Sequence, residues 1–111
     1  MNFNSIRISS LMINYELGKK TWFGSGGNCS FFFKTNSLKQ LRAVLKIGKK
    51  ILPIFILGAG SNILVRDGGF KGLVIKLGND FKKIEFNDNK NILSVGSAAK
   101  DIDVSKFCLE N

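Results

Sequence analysis

The densest concentration of residues able to do chemistry is the run Gly58-Ala59-Gly60-Ser61-Asn62, which directly follows the apolar stretch Ile54-Phe55-Ile56-Leu57. Two glycines let a backbone come close to a bound group, and Ser61 and Asn62 add side-chain donors, so amides in such a loop can cradle a diphosphate. The same residues also suit a tight turn that needs positive φ. Two better-known phosphate loops are excluded. The residue that would complete a Gly-x-Gly-x-x-Gly fingerprint is Ile63, and Ile63-Leu64-Val65 followed by Asp67-Gly68-Gly69 reads as strand and turn, not as the helix that would hold a pyrophosphate. No Gly-x-x-x-x-Gly-Lys-Ser/Thr sequence is present.

Other chemistries are limited by composition. The 111 residues include no histidine and only two cysteines, Cys29 and Cys108, so a zinc centre, a Ser-His-Asp triad or a Cys/His pair cannot be assembled within them. We assign no catalytic residue and no metal ligand. Asp67, Asp101, Asp103 and Glu110 read as turn, helix-start and surface carboxylates. Two distant cysteines without a secretory signal fit a reducing, cytoplasmic setting better than a disulfide framework. The apolar stretches are too short for a signal peptide or a membrane span.

The elements that must position the loop follow from periodicity and punctuation. Leu11-Met12-Ile13 reads as a short strand, and Cys29 to Lys34 as an aromatic one bounded by turn residues. Ser37 with Gln40 three residues on has the form of a capping box, opening a helix from about 37 to 50 whose apolar stripe runs through Leu38, Leu41, Val44 or Leu45, and Gly48. Pro53 cannot continue that helix. Ile54 to Leu57 shows no alternation, which predicts a strand covered on both faces. Leu73 to Leu77 is the next strand, and segments near 81–86 and 91–95 flank a turn at Asn87-Asp88-Asn89. From Asp101 the pattern predicts an amphipathic helix. The fold class is α+β: a βαβ start, further strands and a C-terminal helix, forming one domain over 11–111 behind an N-terminal extension at 1–10.

Seventeen Lys and Arg against eight Asp and Glu give a net charge of +9. Fourteen of the cations are Lys, scattered from Lys19 to Lys106, with Arg only at 7, 42 and 66. Nucleic-acid binding calls for clustered cations, and Arg for bidentate contacts, so the charge reads mainly as background composition on a solvated surface. A small basic nucleic-acid-binding module, using Lys and the Phe-rich strand Phe31-Phe32-Phe33, stands as the alternative function.

Spacing adds what composition does not. The run from Leu52 through Gly58-Ala59-Gly60-Ser61-Asn62 to Ile75 closely resembles the signature of the UDP-N-acetylenolpyruvoylglucosamine reductase family, and the upstream Thr21-Trp22-Phe23-Gly24-Ser25-Gly26-Gly27-Asn28 resembles that family's Thr-aromatic-x-x-x-Gly-Gly segment. The resemblance covers about residues 11 to 111. It implies a PCMH-type, vanillyl-alcohol-oxidase-like FAD-binding domain in which Gly58, Ala59, Gly60, Ser61 and Asn62 wrap the FAD pyrophosphate. It also implies a reaction that passes a hydride from NADPH through the flavin to an enolpyruvyl group in peptidoglycan synthesis. Two departures stand out. A basic residue common between the Thr-aromatic start and the Gly-Gly pair is replaced here by Phe23-Gly24-Ser25, and that glycine-rich stretch is expected to be loose. The family's second Gly-rich flavin segment and substrate domain, with its arginine, proton-donating serine or cysteine, and glutamate, have no counterpart. The resemblance therefore implies an incomplete domain, an amino-terminal fragment from a split, truncated or partial gene that binds at most the pyrophosphate side of FAD and is inactive alone; a downstream chain completing the enzyme is the partner that the split-gene reading expects.

Overall fold

The structure, a computed structural model, describes residues 11–58 and 63–111. The predicted extension at 1–10 lies outside them. Six strands and two helices follow in the order β1 (Leu11–Tyr15), β2 (Cys29–Thr35), α1 (Leu38–Gly48), β3 (Ile54–Leu57), β4 (Phe70–Leu77), β5 (Ile84–Asn87), β6 (Ile92–Val95) and α2 (Asp101–Glu110). The first four strands form one sheet in the order β1-β2-β4-β3, and β5 pairs only with β6. Strands β2, β3 and β4 are parallel, while β1 runs antiparallel to β2. This is the expected α+β mixture, with β4 inserted between the two strands of the βαβ start.

Two central strands bury both faces, and their side chains divide into two cores. Phe33, Leu73, Ile75 and Leu77 point to the face that α1 covers with Val44. Phe32 and Val74, one residue out of phase as a strand demands, point to the opposite face and meet Leu17, Leu57 and Val65. No helix covers that second face among the described residues. It is roofed by Leu17 ahead of the first glycine-rich stretch and by Ile63 and Val65.

Helix α1 begins as the sequence predicts, with one change. Ser37 Oγ accepts from the Gln40 amide at 3.4 Å, but the Gln40 side chain does not return to the Ser37 amide. That amide donates to Thr35 Oγ1 at 3.1 Å, and the Gln40 Oε1 lies 3.2 Å from the same hydroxyl. The buried end of β2 thus takes one half of the box.

Four expectations are corrected. Among the described residues β3 is an edge strand paired with β4, and neither face is covered there: Phe55 is 42% and Ile56 47% exposed. Among the described residues Ile63-Leu64-Val65 joins no sheet; Val65 is instead buried in the second core with Ile63 packed against it. Helix α2 forms where expected but buries none of its residues; Ile102 is 60% and Leu109 88% exposed. In the β5–β6 turn the residue with positive φ is Asn91 (52°), not one of Asn87 to Asn89.

Candidate flavin site

Gly58 is the first residue beyond the carboxyl end of β3, and it is exposed. In open parallel sheets ligands settle outside the carboxyl ends of the strands. A Cβ added at Gly58 would meet no atom of the described residues within 4 Å, so on their side space is open where a bound group would approach the backbone. Ala59, Gly60, Ser61 and Asn62 lie outside the described residues. Only the first member of the predicted cradle therefore has a described position.

The chain past Asn62 fixes the far end of the loop. Val65 is buried, and the Arg66 carbonyl accepts two amides, from Gly27 at 2.9 Å and from Gly69 at 2.8 Å. Gly69 has φ of +78°, as the Asp67-Gly68-Gly69 turn requires. Phe70 then donates to the Asn28 carbonyl at 2.9 Å and starts β4. The Gly26-Gly27-Asn28 stretch is consequently packed on residues 65–70, backbone against backbone. A Cβ at Gly26 would collide with the Val65 carbonyl oxygen, and one at Gly18 with the Gly26 carbonyl group. The expected looseness of the Gly24 to Gly27 stretch is not what glycine brings here: Gly26 is required because two main chains touch.

Thr21 locks the same layer. Its hydroxyl donates to the Gly18 carbonyl at 2.8 Å, its side chain is buried, and its own carbonyl accepts from the Gly24 amide at 3.0 Å. The neighbouring Trp22 is left 80% exposed.

Gly58 shares a cavity of about 500 Å³ with Trp22 and the segment from Ser97 to Ile102. That segment went unmarked in the sequence; its small residues Gly96-Ser97-Ala98-Ala99 ahead of a helix start were the available signal. Its position is fixed from behind, since Gly96 donates to the Lys83 carbonyl at 2.8 Å and Ala98 to the Phe81 carbonyl at 2.9 Å. A Cβ at Gly96 would collide with the Phe81 carbonyl oxygen. These contacts turn the start of α2 toward Gly58. The helix carries no side-chain cap, its cap position being Lys100, and an uncapped first turn offers free amides and a partial positive charge. Asp101 and Asp103 in that turn oppose an anion while Lys100 favours one. Open backbone at Gly58, uncapped amides and one cation fit a phosphate-bearing cofactor, with the two carboxylates limiting how much negative charge the helix end itself accepts.

Cys29 and Cys108 are both free. Cys29 sits at the start of β2, 1% exposed, and burial pushes its thiol up from the ordinary value against a smaller downward pull from a backbone hydrogen bond. Burial also raises the Tyr15 hydroxyl, with Cys29 adding to it; the Tyr15 ring stacks on Phe32 at 4.0 Å. Among the described residues no group of three or more His, Cys, Asp or Glu side chains could hold a metal ion. Nor is any described helix long and apolar enough to cross a membrane. The Phe-rich strand is no stacking platform for bases, because Phe32 and Phe33 are buried and Phe31 half-buried in a central strand.

UDP-N-acetylenolpyruvoylglucosamine reductase of Rickettsia massiliae (strain Mtu5) is 48% identical over 98 residues, covering 88% of this chain and 32% of that protein. The reductases of Rickettsia prowazekii (strain Madrid E) and Rickettsia canadensis (strain McKiel) are 47% and 46% identical over the same length. The chain spans about a third of the length of these curated relatives. The family model described as FAD binding domain matches residues 29–111, from the first residue of β2 through α2, so both central strands, Gly58 and the Ser97–Ile102 side of the cavity lie within it, while Trp22 lies ahead of it. The chain belongs to the FAD binding domain family.

Proposed function

We propose that this chain is the amino-terminal, FAD-holding part of an NADPH-dependent flavoenzyme that reduces UDP-N-acetylenolpyruvoylglucosamine to UDP-N-acetylmuramate in peptidoglycan synthesis. The observation that carries the reading is Gly58, exposed and without steric obstruction, at the carboxyl end of β3 on a cavity shared with the uncapped start of α2. Gly58, Ala59, Gly60, Ser61 and Asn62 hold the pyrophosphate of FAD, chiefly through backbone amides. When bound, FAD supplies the hydride chemistry. The chain's own residues bind and orient it. Lys100 offsets charge at the helix end, and the Gly26–Val65 contact holds the far end of the loop.

In this reading the substrate site and the proton donor belong to the part of the reductases outside the third that this chain matches. Exposed apolar side chains on β5, β6 and α2, among them Phe86, Ile92, Ile102 and Leu109, support a further polypeptide packed over them. A cytoplasmic location goes with this role. The test is flavin fluorescence on mixing the purified chain with FAD, followed by NADPH consumption with the enolpyruvyl substrate. Saturable FAD binding without turnover is expected. Turnover by the isolated chain would overturn the division of labour.

A further inference from the structure

Trp22 is the large aromatic side chain most at odds with its surroundings. It is 80% exposed, yet the residues on either side are tied down: Thr21 is buried and bonded to the Gly18 carbonyl, and the Gly24 amide closes the turn onto Thr21. The mount is itself seated on the loop's far end, because Gly18 packs on Gly26 and Gly26 on Val65. An indole fixed at its base and bare at its tip contributes little to the fold. What it does line is the cavity opposite Gly58, whose remaining wall is Ser97 to Ile102.

Resting on the flavin reading above, we propose that Trp22 is the aromatic wall of this cavity, placing its indole face against a planar heteroaromatic ring of the dinucleotide whose pyrophosphate meets Gly58. Rigid, pre-positioned aromatics stack on such rings at little entropic cost, since the side chain has only two rotatable bonds to fix. A cavity of about 500 Å³ has room for one such ring system and its attached ribityl or ribose, not for the whole cofactor. The ring is either isoalloxazine or adenine, and the ligand series below separates them.

Trp22 is the sole tryptophan, so its emission reports on itself. The full chain is titrated with FAD while flavin polarisation and Trp22 emission are followed together, and the titration is repeated with FMN and with ADP. A saturable fall in Trp22 emission at the polarisation midpoint is expected with FAD. A matching fall with FMN assigns isoalloxazine, and one with ADP assigns adenine. Trp22→Ala is expected to weaken FAD binding roughly tenfold and Trp22→Phe to restore most of it, with unchanged far-ultraviolet dichroism and melting, as befits an exposed side chain. Polarisation that saturates while Trp22 emission stays constant, or a Trp22→Ala variant that binds FAD as tightly as the native chain, overturns the role of Trp22 and leaves the flavin reading standing. Absence of any saturable polarisation overturns both.

Discussion

The Gly27 amide donates to the Arg66 carbonyl at 2.9 Å, joining two glycine-rich segments that lie thirty-nine positions apart in the chain. Between them run β2, α1 and β3. The bond therefore closes a loop around half the sheet and fixes where the Gly58 segment must end. Gly26 beside it has φ of +118° and faces the Val65 carbonyl.

Gly26→Ala is accordingly expected to destabilise the chain by about 3 kcal/mol, combining an unfavourable φ with a main-chain collision. Gly24→Ala tests the conformational part alone. Gly24 has φ of +66° but open space around it, so a loss of about 1 kcal/mol is expected. Urea unfolding followed by circular dichroism measures both. Equal losses would mean that the backbone contact is not the cause.

Alkaline pH should weaken the fold. Burial raises the Cys29 thiol and the Tyr15 hydroxyl, so each loses its proton more readily in the unfolded chain than in the folded one. Their contribution is complete below the unfolded thiol value near ~8.5 and is lost as pH rises through the raised folded values. Urea midpoints taken from pH 7 to pH 10 should fall above about pH 8.5. Cys29→Ala should flatten the first part of that decline. A thiol reagent should label exposed Cys108 at once and Cys29 only on unfolding.

At the start of α1, Ser37→Ala should lower stability by about 1 kcal/mol through loss of the cap on the Gln40 amide. Thr35→Val removes the hydroxyl that accepts from the Ser37 amide and lies beside Gln40 Oε1, in a buried position. A loss of about 2 kcal/mol is expected. If the two substitutions combine with less than additive effect, the shared cap is confirmed as one network.

The exposed apolar residues of α2 are predicted to matter to association and not to the fold of this chain. Leu109→Asp removes a side chain that is 88% exposed, so the unfolding midpoint should stay within about 0.5 kcal/mol of native. Co-purification with a polypeptide covering the remaining two-thirds of a Rickettsia reductase should drop instead. A drop in stability with association intact would contradict that division.

Much of the fold could be read from local pattern. Ser37 and Gln40 mark the start of α1, and the apolar runs at 29–34 and 73–77 mark the two central strands, because these signals depend on neighbours a few residues away. Phe55 and Ile56 illustrate the limit: four consecutive apolar residues look the same whether one strand or two lie beside them, and here only β4 does. Ile63-Leu64-Val65 has strand composition, yet Val65 and Ile63 are placed by packing on Leu17, Phe32 and Val74, distant side chains that no period records. For α2 the helix itself was legible from Asp101 onward, whereas its cover depends on surfaces outside it. At the candidate site the glycines of the loop were evident from their types; the contributions of Trp22 and of Ser97 to Lys100 came only from the cavity that brings them to Gly58.

The central claim, that a loop beginning at Gly58 holds the pyrophosphate of FAD, is tested most directly by comparing FAD, ADP and riboflavin binding to the native chain and to Gly58→Val by calorimetry. Among the described residues Gly58 has no atom near its missing Cβ, and it has no positive φ, so the variant should fold normally. FAD and ADP should bind and riboflavin should not, and Gly58→Val should weaken FAD by tenfold or more with an unchanged unfolding midpoint. Riboflavin binding as tight as FAD, or a Gly58→Val variant with native FAD affinity, would contradict the account.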